Sequence, residues 1–233
     1  QEYTTPFGVP PFDQIEVAHY KPALLKGMEE QSKEIEAIVN NPEEPTFENT
    51  ILAYDNAGQM LAQTELIFGM LCAAETNERM QALQEQVMPL LSAHRDKIRL
   101  DEKLFARVKD VYDRRASLGL DAEQSRLLRK TYDAFVRSGA LLDAGQKARL
   151  KEINGELSLT AVKFGNNILA ENNNFALELT ADDLEGLPSG VRDAAREKAQ
   201  AMGKGDKWVF TLHKPSLIPF LPYSAKRDLR EQI

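Results

Sequence analysis

The chain is poor in the residue types that most often carry metal or thiol chemistry. Among 233 residues there is one cysteine, Cys72, and there are three histidines, His19, His94 and His213. A lone cysteine forms no internal disulfide, and a cysteine-based metal cage needs several ligands. No two histidines lie close in sequence and none opens a His-Glu-x-x-His pattern, so no local zinc site is written here. Long hydrophobic runs are missing too. Leu66 to Ala74 is about half of the roughly 18 apolar residues that a membrane span requires, and it contains Gly69. Nor is there an excess of positive charge: 29 Lys and Arg against 36 Asp and Glu leave −7, which argues against non-specific nucleic-acid binding and a polybasic membrane anchor. Partners of neither kind, nucleic acid or membrane, are expected. What is present is 42% hydrophobic and 28% charged residues, enough to bury a core and exclude wholesale disorder.

The apolar pattern is helical over most of the length. Thr4 to Asp13 carries Pro6, Pro10 and Pro11 with Phe7 and Phe12, and predicts an extended arm, because proline lacks the N–H and restricts its predecessor. From His19 to Asn40 a helix is expected, with Pro22 in its first turn and an apolar face of Leu24, Leu25, Met28, Ile35, Ile38 and Val39. Thr46 caps the next, expected to run through Glu75; Asn77 caps another, kinked or broken at Pro89. Asp101 opens a helix that Gly119 stops. Asp121 with Gln124 and Asp143 with Gln146 are capping-box pairs. After the second box Leu150, Ile153, Leu157, Ala161, Phe164 and Ile168 step by three and four, the pattern of a helix–helix seam. Beyond Asn172-Asn173-Asn174 the texture changes. Phe175–Thr180 and Lys207–Leu212 alternate as strands, separated by a helix from Val191 to Met202. The fold class expected is mainly α, an antiparallel helical assembly with a small β element near the C-terminal end. Its expected parts are an arm at 1–18, a long-helix body at 19–172 and a mixed β/α segment at 173–233.

No constellation in this pattern carries chemistry by itself. His19 and His94 read as capping or surface residues, and His213, before Lys214-Pro215, as a hydrogen-bonded turn residue. Cys72 lies on an apolar helix and reads as a buried, inert thiol. No Gly-x-Ser-x-Gly elbow occurs. Gly203-Lys204-Gly205-Asp206 follows a helix and precedes a strand, the reverse of a phosphate loop, and reads as a helix stop. The pairs Glu43/Glu44 and Asp182/Asp183 suit helix starts. Arg114, Arg115, Arg126, Arg129, Lys130 and Arg137 fall among acids and read as a solvated face. Asn166, Asn167 and Asn172 to Asn174 could line a peptide groove, but more simply end a helix. No catalytic, cofactor-binding or metal-ligating residue is assigned.

Three strings are more specific. Pro6-Phe-Gly-Val-Pro-Pro-Phe-Asp-Gln-Ile-Glu-Val-Ala-His-Tyr-Lys-Pro-Ala23 resembles the opening of the thimet oligopeptidase family of zinc metallopeptidases, most of all its peptidyl-dipeptidase (dipeptidyl carboxypeptidase) and oligopeptidase A branch. Asn41-Pro-Glu-Glu-Pro-Thr-Phe-Glu-Asn-Thr-Ile51 is similar to the next recurring string of that branch. So is Trp208-Val-Phe-Thr-Leu-His-Lys-Pro-Ser216, followed by Pro219-Phe-Leu-Pro-Tyr-Ser224.

The resemblance implies a mostly helical hydrolase of roughly three times this length that degrades short peptides by proteolysis. Its zinc would be held by a His-Glu-x-x-His helix and a downstream Glu, both in a C-terminal half absent from this chain. This chain would then be the inactive N-terminal wall of a substrate channel. Its partners would be short peptides and the missing catalytic domain, with zinc only in the full-length enzyme. An alternative is a stand-alone helical binding or scaffold module that has lost catalysis. The Gln1 start and the unterminated helical rhythm up to Ile233 fit a piece of a longer protein, either periplasmic after loss of a signal peptide or cytoplasmic. Release of C-terminal dipeptides is expected, with internal cleavage as the other possibility.

Overall fold

The computed structural model describes Tyr3 and residues 5–233. Helices dominate: α1 (Val17–Val39), α2 (Ala53–Asn56), α3 (Gln59–Ala74), α4 (Glu78–Arg99), α5 (Glu102–Asp113), α6 (Ala122–Arg137), α7 (Ala144–Asn174), α8 (Ser189–Ala201), α9 (Lys214–Tyr223) and α10 (Arg227–Gln232). Two three-residue strands, β1 (Leu177–Leu179) and β2 (Trp208–Phe210), pair antiparallel with Glu178 opposite Val209. The chain divides into two compact units, Gln1–Val162 and Lys163–Ile233.

Local sequence sets the helix starts of the first unit. Thr46, Asn77, Asp101 and Asp121 each accept a hydrogen bond from the backbone N–H three residues on. Asp143 and Gln146 exchange bonds reciprocally, so four expected caps and both expected capping boxes form. His19 closes a further box with Glu16, which starts α1 two residues early and moves Pro22 out of the first turn.

α1 is shared, with α4, between two apolar clusters. Its first half gives Tyr20, Leu24 and Met28 to a cluster with Leu61 and Phe68 of α3 and Met80, Leu83, Val87 and Leu91 of α4. Its second half gives Ile35 and Ile38 to a cluster built on Ile98, Leu104, Phe105, Val108, Leu128 and Phe135. α1 runs antiparallel to α3, with Gly27 against Leu61 and the Tyr20 and Phe68 rings 5.2 Å apart. α5 and α6 are antiparallel as well: Phe105 meets Phe135, and Tyr112 stacks on Tyr132 at 3.9 Å.

The second unit centres on Leu179, Leu184, Leu187, Ala195, Phe210 and Phe220. Asp183 closes a capping box with Thr180 and pairs with Lys226 at 2.6 Å. That ammonium, with the Thr180 N–H and hydroxyl, holds its carboxyl down at about 2. Glu178 is clamped between Lys204 and Lys207 and is likewise held at about 2.

Several expectations are corrected. The helix expected from Thr46 to Glu75 is three pieces: a π-helical segment at Phe47–Leu52, then α2, then α3 after a break where Gly58 takes φ +85°. A lone glycine in a helical pattern is an ambiguous signal, and here it is a left-handed link. Pro89 lies inside an uninterrupted α4. The arm forms single 3₁₀ turns at Pro6–Gly8 and Phe12–Gln14; Thr4 lies outside the described residues. α9 carries Pro219 and Pro222 in its interior, where the sequence signals no helix, and the helical rhythm that runs up to Ile233 yields only α10.

A Cβ at Gly27 would lie 2.8 Å from the Leu61 backbone, whereas Gly69 has open space around it. Gly27→Val is expected to destabilise the chain by about 1–3 kcal/mol through overpacking. Gly69→Ala is expected to stabilise it by up to about 1 kcal/mol through helix propensity. Denaturant midpoints of the two variants check both signs.

Candidate functional site

A cleft of about 570 Å³ opens in the first unit where side chains of α1, α3, α4 and α7 meet the end of α6. The α2–α3 link shapes one side. Because Gly58 is left-handed, its N–H turns to the Glu34 carboxylate at 2.6 Å, and the Gln31 amide fills the place a Cβ would take. Gln31 joins three segments. Its Nε2 donates to the Ala57 carbonyl at 3.4 Å, leaving its Oε1 to accept from His94 Nε2 at 2.7 Å. Since Oε1 only accepts, His94 carries its proton on Nε2. Burial, with Lys97 adding to it, pushes the His94 pKa below its ordinary value.

The opposite side is polar. Asn154 of α7 donates to Asp96 of α4 at 2.8 Å, and Ser92 donates to the Asn154 carbonyl at 3.3 Å. Arg95 pairs with Glu65 at 2.5 Å. Arg99 lies over the rings of Tyr54 and Phe135, 6.0 and 5.6 Å from their centroids, and burial pushes the Tyr54 phenol up against the opposing pull of that guanidinium. The lining holds guanidinium, amide, carboxylate and aromatic groups and neither histidine nor cysteine. Such a set can hydrogen-bond and stack on an extended polar chain. It holds no thiol or imidazole that could attack or relay a proton.

The residues singled out in the sequence fall as follows. His94 is buried near the C-terminal end of α4 rather than capping or exposed: the α4 periodicity puts it on the core side, and Gln31 supplies the partner that sequence spacing cannot reveal. His19 caps α1 as expected, and His213 sits at the start of α9 with Nδ1 3.3 Å from the Thr211 hydroxyl, a turn role. Cys72 is half-buried against the Tyr20 cluster, and burial pushes its thiol up. Gly203 and Gly205, both at positive φ, end α8. Asn172 to Asn174 are the last turn of α7. Arg114 pairs with Asp110 and donates to the Pro45 carbonyl at 2.5 Å, while Arg115 stacks on Tyr112 at 4.2 Å. Among the described residues, no group of three or more His, Cys, Asp or Glu is placed to hold a metal ion. Among them, too, no helix is long and apolar enough to cross a membrane.

The expected α7 seam is overturned in one respect. Its apolar residues do lie in line, but Leu157 and Phe164 are 62% and 66% exposed, and Ile153 and Ile168 are exposed as well. Only Lys147, paired with Glu102, and Val162 are buried along this helix. The periodicity reports a face suited to packing, while these four side chains are left exposed.

Comparison with known proteins follows the same lines. No family model matches. Over 231 residues, 99% of this chain, it is 37% identical to dipeptidyl carboxypeptidase of Escherichia coli. It is 26% identical over 230 residues to oligopeptidase A of the same organism, and 25% identical over 221 residues to a thimet-like oligopeptidase of Dictyostelium discoideum. The chain spans about a third of the length of these relatives, 34%, 34% and 32% respectively.

His94 stays neutral where it is buried, so it lends stability that is present above its ordinary value of 6.5 and lost as pH falls below that. Unfolding midpoints measured from pH 7.5 down to 5 are expected to fall for the native chain. For His94→Gln, which keeps a donor toward Gln31, they are expected to fall less.

Proposed function

We propose that this chain, homologous to the N-terminal region of the thimet oligopeptidase family of peptidases, forms the non-catalytic wall of a peptide-binding channel in a longer metallopeptidase. The observation that carries the proposal is the match of 99% of this chain to 34% of a dipeptidyl carboxypeptidase. Two features of the molecule support it. The exposed apolar line of α7 suits contact with the remaining two-thirds of such a protein, because surfaces of that kind on soluble proteins mark interaction sites. The cleft beside Asn154 and Arg99 offers the hydrogen-bonding and stacking groups that an extended peptide needs.

Zinc does not fit the residues present. The three histidines have separate structural partners, and no acidic or cysteine cluster joins any of them among the described residues. In the proposed enzyme the metal is therefore held by the part outside this chain. It would supply the activated water, and this chain would bind and orient peptide. Release of C-terminal dipeptides follows the stronger similarity to dipeptidyl carboxypeptidase over oligopeptidase A.

The test uses the full-length protein. Expected are bound zinc, loss of hydrolysis with a chelator, and products of an N-blocked short peptide shorter by successive C-terminal dipeptides. Internal cleavage would replace dipeptide release with endopeptidase action. A full-length product of only these 233 residues, without zinc or hydrolysis, would favour a binding or scaffold module.

A further inference from the structure

Beside the cleft lies a second depression of about 520 Å³, and the two share Arg99, Arg137 and Ser138 in their lining. The second is strongly cationic. Arg126, Arg129, Lys130 and Arg137 of α6 surround it together with Arg99 of α4, and Asp133 is the one carboxylate in its lining. Along α6, positions 126, 130, 133 and 137 step by four, three and four, so these side chains share one face. Among the described residues none of the five cations has a carboxylate within 4 Å, so their charges are left uncompensated by ion pairs within the chain. Placing Arg126 and Lys130 one turn apart is a like-charge arrangement that weakens an isolated helix. The packing of α6, through Leu128, Thr131 and Phe135, asks for none of these charges. On a chain of net charge −7, so local a positive field calls for an anionic ligand.

We propose that this depression binds the acidic side chains of peptides lying in the adjoining cleft, which makes Asp- and Glu-rich peptides the preferred ligands. The proposal rests on the peptide-binding role given above and adds a substrate class to it. Arg99 is the link between the two depressions: the Tyr54 and Phe135 rings hold its guanidinium at their common rim. Guanidinium groups suit carboxylates because their planar fork matches two oxygens at once. Asp133 opposes the binding of any anion and so gives a variant of opposite sign.

The experiment is fluorescence anisotropy on this chain with a dye-labelled oligoglutamate peptide, its oligoglutamine counterpart and a single-stranded oligonucleotide of equal charge. Oligoglutamate is expected to bind saturably, more weakly as salt is raised, and about tenfold or more tighter than oligoglutamine. Arg126→Glu with Lys130→Glu, both exposed, is expected to weaken it about tenfold. Asp133→Asn is expected to tighten it, which a merely structural role would not do. Equal binding of the two peptides, or indifference to both variants, overturns the proposal; tighter binding of the oligonucleotide overturns its peptide class. None of these readouts needs hydrolysis. Failure here leaves hydrolysis of neutral peptides by the full-length protein untouched, and failure of that hydrolysis leaves these affinities untouched.

Discussion

The absence of a side chain at Gly27 is the constraint on which the first unit depends. It lets the backbone of α1 approach that of α3 at Leu61, closer than a Cβ would allow. With α1 held there, its two halves complete two separate apolar clusters, and α4, running beside it, contributes to both. The side chains that reach across from these helices then meet at one place. Gln31 stands where α1, the α2–α3 link and α4 converge, and the left-handed Gly58 makes room for its amide. The cleft is thus a by-product of close helix packing, lined by the polar residues that packing turned toward one another.

Much of the fold could be read from local chemistry, because helix starts are local events. A capping side chain and the N–H it serves lie three residues apart, so Asp121 with Gln124 and Asp143 with Gln146 announce themselves in the sequence. The two strands were legible for a similar reason, as their alternation survives even in three-residue pairs. What escaped was decided at a distance. Gly58 is a break because Glu34 and Gln31, more than twenty residues upstream, bind and fill the space around it. Proline-rich α9 was missed since proline is a poor predictor of helix interiors.

The candidate site was less legible than the fold, and the reason is physical. Gln31, Tyr54, Arg99 and Asn154 come from four different helices, and no spacing rule relates them. His94 was misjudged for the same cause: its neighbours in sequence are charged, while its partner sits on α1. The α7 stripe shows the converse. Its periodicity was visible and correctly located, yet a pattern that suits packing does not say whether the same chain provides the partner.

The placement of the aromatic residues has a spectroscopic consequence. The single tryptophan, Trp208, belongs to β2 in the second unit, half-buried with Arg196 stacked 5.1 Å from its ring. The first unit holds Tyr3, Tyr20, Tyr54, Tyr112 and Tyr132 and no tryptophan. Indole emission therefore follows the loss of structure around β2 alone, while far-ultraviolet ellipticity is dominated by the longer helices of the first unit. Recorded on one sample, the two signals separate the unfolding of Lys163–Ile233 from that of the rest without any label being introduced.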